Sequence, residues 1–173
     1  MADTFTAYLR DVTVAPNKSL LTLFNGVGSG RALKIARIQC LNSSPTARAG
    51  VITNFDIRLV SASVGGTAVT PTKHVPTQTS LPAEVLVTTG ATDTVTDLLR
   101  RFMWSTDEPA AASLTIDELE TIPALNTVWD LGYQDLTVPK LILREGQGIA
   151  LRQAGSGTVG LVDVRFEFLN VAG

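Results

Sequence analysis

The single histidine, His74, is the residue through which a Ser-His-Asp triad or a histidine-ligated metal site would have to pass. The neighbouring residues, from Thr72 to Pro76, place it in a loop, and no HxH or HExxH spacing accompanies it. Because it has no partner at the required spacing, we interpret His74 as an exposed loop histidine.

Carboxylates are densest at Asp117, Glu118 and Glu120, with Asp107 and Glu108 nearby. Paired carboxylates serve glycosidases and bind calcium. The D-x-[DN]-x-[DN]-G spacing of a calcium loop is absent, however, and no second carboxylate can be positioned against these from the sequence. We interpret the cluster as a solvated turn or an interface patch, and we predict no metal site.

The segment GVGSGR, from Gly26 to Arg31, superficially suggests a phosphate-binding loop. Such a loop must open a helix, whose N-terminus holds the anion. The segment that follows, ALKIARIQ, has the character of a strand. A hairpin turn is therefore the better interpretation. No cofactor is predicted, and the chain is expected not to be an enzyme.

Trp104 and Trp129, with Phe102 and Tyr133, are aromatic residues that could form a sugar-stacking platform. More often such side chains fill a sandwich core or anchor a subunit interface. Arg100 and its neighbour Arg101 lie on a predicted strand, where successive side chains point to opposite faces. At most one of the two arginines can therefore reach a given partner.

Composition favours a protein that is covered by another protein. Charged residues make up 17% of the chain, against about 25% in an average domain, and 45% of residues are hydrophobic. A subunit of an assembly is therefore predicted over a large isolated sandwich, which gives similar numbers. The net charge of −2, without a basic cluster, argues against a nucleic-acid partner.

Several features predict a protein made and assembled in the cytoplasm. No apolar run approaches the roughly 18 residues that cross a bilayer, so no membrane partner is predicted. The segment Met1 to Phe5 lacks the charged and apolar regions of a secretory signal. The single Cys40 cannot form an internal disulfide, so folding does not depend on oxidation.

Alternation of apolar and polar residues predicts one domain over 1–173, built of strands, with 1–18 as an N-terminal strand or arm. Strands are expected at 3–15, 19–25, 32–42, 51–62, 84–88, 97–105, 126–133, 137–143 and 159–171. Residues 141–153, with Gly146 and Gly148 at their centre, are expected to form a β-hairpin. A helix of a turn or two is predicted within 109–123, where Thr115 to Glu118 have the capping-box pattern.

Two strands carry finer predictions. Within 32–42 the apolar residues change parity between Ile35 and Ile38, as a β-bulge produces. In the closing strand one parity is expected to face the core and the other to face outward. The inward set is Val162, Val164, Phe166 and Phe168, and the outward set is Asp163, Arg165 and Glu167.

The segment 63–82 lacks a periodic core pattern, and long loops of this kind are commonly functional or extended arms. We predict that it reaches towards a partner. The predicted interface residues are Lys73, His74, Val75, Arg100, Trp104 and Trp129.

Many strands, regular turns and almost no helix indicate an all-β antiparallel sandwich with long connecting loops. An immunoglobulin form is disfavoured because the Cys…Trp…Cys framework is absent. Long strands with substantial crossing loops favour a jelly roll.

Three stretches together resemble small head decoration or cement proteins encoded among the structural genes of tailed bacteriophages. They are GSGRALKIARIQCLN, DEPAAASLTIDELETIPALNTVWDLGY and LILREGQGIALRQ, and the resemblance runs from about Leu20 to the C-terminus. It implies a β-rich subunit, often a jelly roll, that sits as an oligomer on an assembled capsid shell. No functional residue carries over, because such proteins attach through extended surfaces.

We therefore expect a structural virion protein that binds the major capsid protein and itself, as a trimer, on the capsid exterior. A tail or neck component is the alternative within virions. From a different class, the alternative is a carbohydrate-binding jelly roll that uses Trp104 or Trp129.

Overall fold

The computed structural model describes residues 3–13, 17–42, 51–106, 126–130, 141–154 and 161–172. These ranges contain no helix long and apolar enough to span a membrane. The helix predicted within 109–123, the acidic cluster at 107–120 and the turn expected at 155–157 lie outside them. The strands are β1 (Asp3–Thr13), β2 (Ser19–Asn25), β3 (Arg31–Asn42), β4 (Val51–Val64), β5 (Thr67–Ala68), β6 (Thr72–Lys73), β7 (Val85–Thr89), β8 (Thr92–Thr106), β9 (Asn126–Asp130), β10 (Ile142–Leu143), β11 (Gln147–Gln153) and β12 (Leu161–Ala172).

Two antiparallel sheets contain these strands. The first sheet has the order β10-β3-β12-β1-β6, and β9 also pairs with β3. The second sheet has the order β5-β7-β2-β11-β4-β8. The inner faces of the two sheets form one apolar core.

The pairing of the long strands is nested. β1 pairs with β12, β2 with β11, β3 with β9, and β4 with β8. Each of these pairs lies, in the sequence, between the two strands of the pair before it. This is the connectivity of a jelly roll. The predicted all-β antiparallel sandwich of jelly-roll type is confirmed.

The closing strand β12 lies in the core as its alternation predicts. Val162, Val164, Phe166 and Phe168 are fully buried, and Phe168 stacks on Phe5 with ring centroids 5.7 Å apart. The predicted bulge in β3 is also present. Ile35 pairs with Phe168 and Arg37 with Glu167, which leaves Ala36 as the extra residue that switches the parity of the strand.

The two glycine turns predicted as hairpins are sheet-to-sheet crossings instead. Gly146 has the expected positive φ of 75°, but β10 before it belongs to the first sheet and β11 after it to the second. Likewise, the turn after Asn25 leads from β2 in the second sheet to β3 in the first. Both corrections have one cause: turn residues and alternation look the same whichever sheet the next strand joins.

The segment 63–82 is not the projecting arm that was expected. Ser63 and Val64 end β4, and the remainder contains β5 and β6, one in each sheet. The amide of His74 donates to the carbonyl of Thr4 at 3.1 Å, and the side chain of Gln78 donates to the same oxygen at 2.7 Å. These bonds hold the segment against the edge of the first sheet.

Candidate functional site

A polar groove of about 600 Å³ lies on the outer face of the first sheet. Strands β1, β3, β12 and β6 contribute its walls, and the residue after β6 closes one rim. We call it the outer groove. It is lined by Thr6, Tyr8, Arg37, Gln39, Thr72, His74 and Arg165.

Cross-strand register brings these side chains together. In one row Thr6 of β1 lies opposite Glu167 of β12, which lies opposite Arg37 of β3. In the next row Arg165 lies between Tyr8 and Gln39. Directly opposite residues share a face of the sheet, so strands far apart in sequence present one continuous polar surface.

Glu167 lies at the bottom of this surface and is only 3% exposed. The alternation of β12 correctly predicts that it faces away from the core, but it is buried rather than solvated. Its carboxylate pairs with the guanidinium groups of Arg165 and, at 4.0 Å, of Arg37. A buried charge is stable only when it is paired in this way, and the pairing fixes both arginines in the groove.

Tyr8 and Asp163 form a second fixed contact beside the groove. The Tyr8 hydroxyl donates to Asp163 Oδ2 at 2.6 Å, and the backbone amide of Asp11 donates to Oδ1 at 2.9 Å. The hydrogen bond to Asp163 stabilises the protonated phenol and so raises the pKa of Tyr8 above its ordinary value. Asp163 is therefore a structural acceptor, not a free surface carboxylate.

His74 is exposed, as predicted, and it lies on the rim of the groove. Its Nε2 lies 2.6 Å from the hydroxyl oxygen of Thr6. A hydroxyl beside an imidazole is the start of a nucleophile–base pair, which also needs an acid to orient the ring. Among the residues that the structure describes, no carboxylate forms a hydrogen bond with this imidazole. In this arrangement the contact orients His74 as part of a binding surface.

The other predicted interface residues are distributed over the fold. Of the three loop residues, only His74 lines the outer groove. Lys73 of β6 lies opposite the core residue Phe5 of β1 and lines a different cavity, and Val75, the residue after His74, is 54% exposed. Arg100 lies elsewhere, exposed on β8 at the edge of the second sheet. The groove itself was not predicted, because no sequence signal gives the register of β1, β12 and β3.

The two tryptophans are placed by their backbones alone. Trp104 lies opposite Thr53 in the second sheet, and Trp129 lies opposite Ile38 in the first. Since β9 and β6 pair at opposite edges of the first sheet, Trp129 is remote from the His74 rim. Their side chains are outside the described part of the structure.

A buried carboxylate that sequence analysis missed lies on the outer face of the second sheet. Asp56 is 3% exposed and accepts two hydrogen bonds from Arg101, at 2.7 and 3.0 Å, and one from Arg58 at 3.2 Å. The guanidinium of Arg101 lowers the pKa of Asp56, with Arg58 acting in the same direction. Arg101 is thus bound to Asp56. Arg100 lies opposite the core residue Ile57, so the two arginines face different sides of the sheet.

Metal-binding and nucleophilic groups were also considered. No cluster of three His, Cys, Asp or Glu side chains that could hold a metal ion occurs within the described ranges. Cys40 is buried in the core, and this burial raises the pKa of its thiol to about 12. A thiol with that pKa is not the thiolate that nucleophilic chemistry requires.

Comparison with protein families, with curated proteins and with solved structures gives no significant match to this chain. The site itself is an arrangement of fixed arginines, an exposed tyrosine and hydrogen-bonding side chains. Such an arrangement is chemically suited to a polar partner.

Proposed function

We propose that this chain is a structural virion protein, a capsid decoration or cement subunit that binds the major capsid protein and itself on the capsid exterior. The observation that carries the proposal is the composition of the outer groove. Tyrosine and arginine dominate the energetics of protein interfaces, and here a 44% exposed Tyr8 lies beside Arg37 and Arg165.

Preorganisation supports the groove as the surface that meets the capsid protein. Arg37 and Arg165 are paired with Glu167, and Tyr8 is bonded to Asp163. Side chains that are already fixed lose little conformational entropy on binding, so more of the contact energy becomes affinity. The low fraction of charged residues, 17%, agrees with a surface that is covered in the assembly.

A different surface is proposed for self-association into a trimer. A cavity of about 380 Å³ lies where β10 of the first sheet approaches β4, β8 and β11 of the second. Ile142 lines it and is 39% exposed, and Leu98 on β8 is 44% exposed. Exposed apolar side chains beside an apolar cavity favour burial against another copy.

Sedimentation equilibrium tests the self-association. A trimer is expected for the parent, and a monomer for Ile142→Glu, because a charge would enter the apolar contact. Leu86→Glu, at a 40% exposed position on β7 outside this cavity, is the matched control and should remain a trimer. A monomeric parent, or a trimer that tolerates Ile142→Glu, would remove this surface from the proposal.

Glycan binding is the second candidate, because a tyrosine ring beside several hydrogen-bonding side chains also suits a sugar. The two candidates are separated by one comparison on the same preparation. A decoration protein binds expanded capsid shells and no glycan, whereas a lectin binds a glycan in a manner that Tyr8→Ala abolishes. A tail or neck location would instead give binding to tail structures and none to shells.

A further inference from the structure

Strands β4 and β8 pair along most of their length, and we call this pair the β4–β8 ribbon. The end of the ribbon at Val64 and Thr92 folds over the outer face of the second sheet. Asp93 of β8 accepts hydrogen bonds from Thr22 Oγ1, at 2.6 Å, and from Ser19 Oγ, and both donors belong to β2. In the sheet, β11 and β4 separate β2 from β8. Asp93 can reach β2 only if the ribbon crosses above the sheet, and three register shifts between β4 and β8 provide the bend.

Buried oxygen atoms converge where the ribbon meets the sheet. Asp93 Oδ1, Ser63 Oγ and Thr88 Oγ1 are all buried and have no hydrogen-bond partner among the described residues. Ser63 lies directly opposite Asp93 on the ribbon, and Thr88, only 8% exposed, lies directly opposite Thr22 on the sheet. Because Thr22 itself bonds Asp93, the strand register brings the three residues that carry these oxygens to the same junction.

The charge at this junction is unbalanced. The Asp93 carboxylate accepts hydrogen bonds from two hydroxyl groups, and within the described ranges it has no ion pair with lysine, arginine or histidine. Burying a carboxylate oxygen without a compensating charge is costly. Carboxylate and hydroxyl oxygens are the ligands that hard cations prefer, and a single carboxylate balances a single positive charge.

We propose that Asp93, Ser63 and Thr88 bind a small hard monovalent cation, with Na⁺ as the ion to test. The ion bridges Ser63 and Asp93, on β4 and β8, to Thr88 on β7. It thereby holds the folded-over end of β4 and β8 against the sheet. The stability of the sandwich then depends on which cation is present, and not only on ionic strength.

Thermal unfolding in sodium chloride and in choline chloride at equal ionic strength tests the site. Choline is too large to enter, so only sodium should stabilise specifically. For a salt concentration about ten times the dissociation constant, the melting temperature in sodium should exceed that in choline by about 3 °C. Thr88→Val keeps the shape of the side chain and the Asp93–Thr22 bond, and it should abolish the difference.

Asp93→Asn should also abolish the difference, and Asp97→Asn, an exposed carboxylate on the same strand, should retain it. Should Asp93→Asn fail to fold, Thr88→Val and Ser63→Ala decide the question. Equal melting temperatures of the parent in the two salts would show that no sodium ion binds at the junction, where an ordered water would then satisfy the buried oxygens. A sodium effect that persists in Thr88→Val would likewise overturn the proposed site.

Discussion

The side-chain amide of Asn25 donates to the backbone carbonyl of Leu143 at 3.1 Å and thereby joins two turns that are far apart in the chain. The same amide donates to the carbonyl of Arg31 at 2.8 Å. Each of these turns carries the chain from one sheet to the other. Asn25, which is fully buried, therefore fixes the geometry of one end of the sandwich.

Asn25→Ala is expected to lower the free energy of unfolding by about 2 to 4 kcal/mol, because it leaves buried carbonyl groups without donors. Urea unfolding measures the change. Asn54→Ala, at an exposed position, is the control and should stay within about 0.5 kcal/mol of the parent. Equal effects of the two substitutions would show that the Asn25 amide does not hold the turns.

Gly146 in the β10–β11 turn and Gly148 in β11 should differ in their response to alanine. Gly146 has φ of 75°, and an added Cβ would make only an ordinary contact with Val27 Cγ2 at 3.7 Å, so Gly146→Ala is expected to cost about 1 kcal/mol. A Cβ at Gly148 would lie 2.7 Å from Phe24 Cδ2 and 2.8 Å from the Leu23 carbonyl oxygen, so Gly148→Ala should cost about 2 to 3 kcal/mol. Chemical denaturation of the two variants checks the order, and a larger loss for Gly146→Ala would refute the close β2–β11 approach.

The Asp56–Arg101 pair should make the stability of the protein depend on pH in the acid range. The pKa of Asp56 is lowered in the folded protein, so its contribution is complete above the unfolded value of about 3.9 and is lost as pH falls through the lower folded value. Asp56→Asn should therefore be less stable at pH 7 and should lose less stability between about pH 5 and 2. An unchanged slope in Asp56→Asn, measured by denaturation at each pH, would contradict this role.

Arg101→Ala should lower the stability at neutral pH only modestly, because half of the Arg101 side chain is exposed to solvent and water screens the ion pair. Arg100→Ala, on the adjacent and unengaged side chain, is the matched control and is expected to change stability little.

The Tyr8–Asp163 bond predicts a tyrosine that ionises later than usual. In a Tyr133→Phe background, which leaves Tyr8 as the remaining tyrosine, ultraviolet titration should give a pKa above the ordinary value of about 10. Asp163→Asn should move it back down, because the charged acceptor is lost. Since the folded pKa is raised, the stabilisation is complete below about pH 10 and disappears as pH rises through the folded value. An identical titration in both variants would rule out the bond.

Local sequence patterns predicted the strands but not their partners. β2 lies at Ser19–Asn25 as predicted, and the parity change in β3 marks the bulge at Ala36. Alternation also predicts that Glu167 points away from the core. It does not predict that Glu167 is buried, because that burial depends on its pairing with Arg165 of the same strand and Arg37 of β3.

The outer groove and the Asp93 junction escaped prediction for the same physical reason. Thr6 meets His74 and Asp93 meets Thr22 only after the sheets have formed, and nothing in a local pattern encodes the register of those long-range pairs. Lys73, His74 and Val75 were predicted together as an interface segment, but of these only His74 lines the groove. Lys73 lies opposite Phe5, on the other face of the sheet.

Co-sedimentation with capsid shells tests the central proposal most directly. The shells used are those of the major capsid protein with which this chain is proposed to assemble, and free capsid subunits serve as the comparison. Several weak contacts act together on a shell, so the protein should bind expanded shells at least tenfold more tightly than free subunits. Val75→Asp, next in the chain to the groove residue His74, should weaken shell binding about tenfold, while Val27→Asp, equally apolar and more exposed, should bind as the parent does. No binding of the parent to shells, together with capture of a glycan that Tyr8→Ala abolishes, would contradict the decoration role.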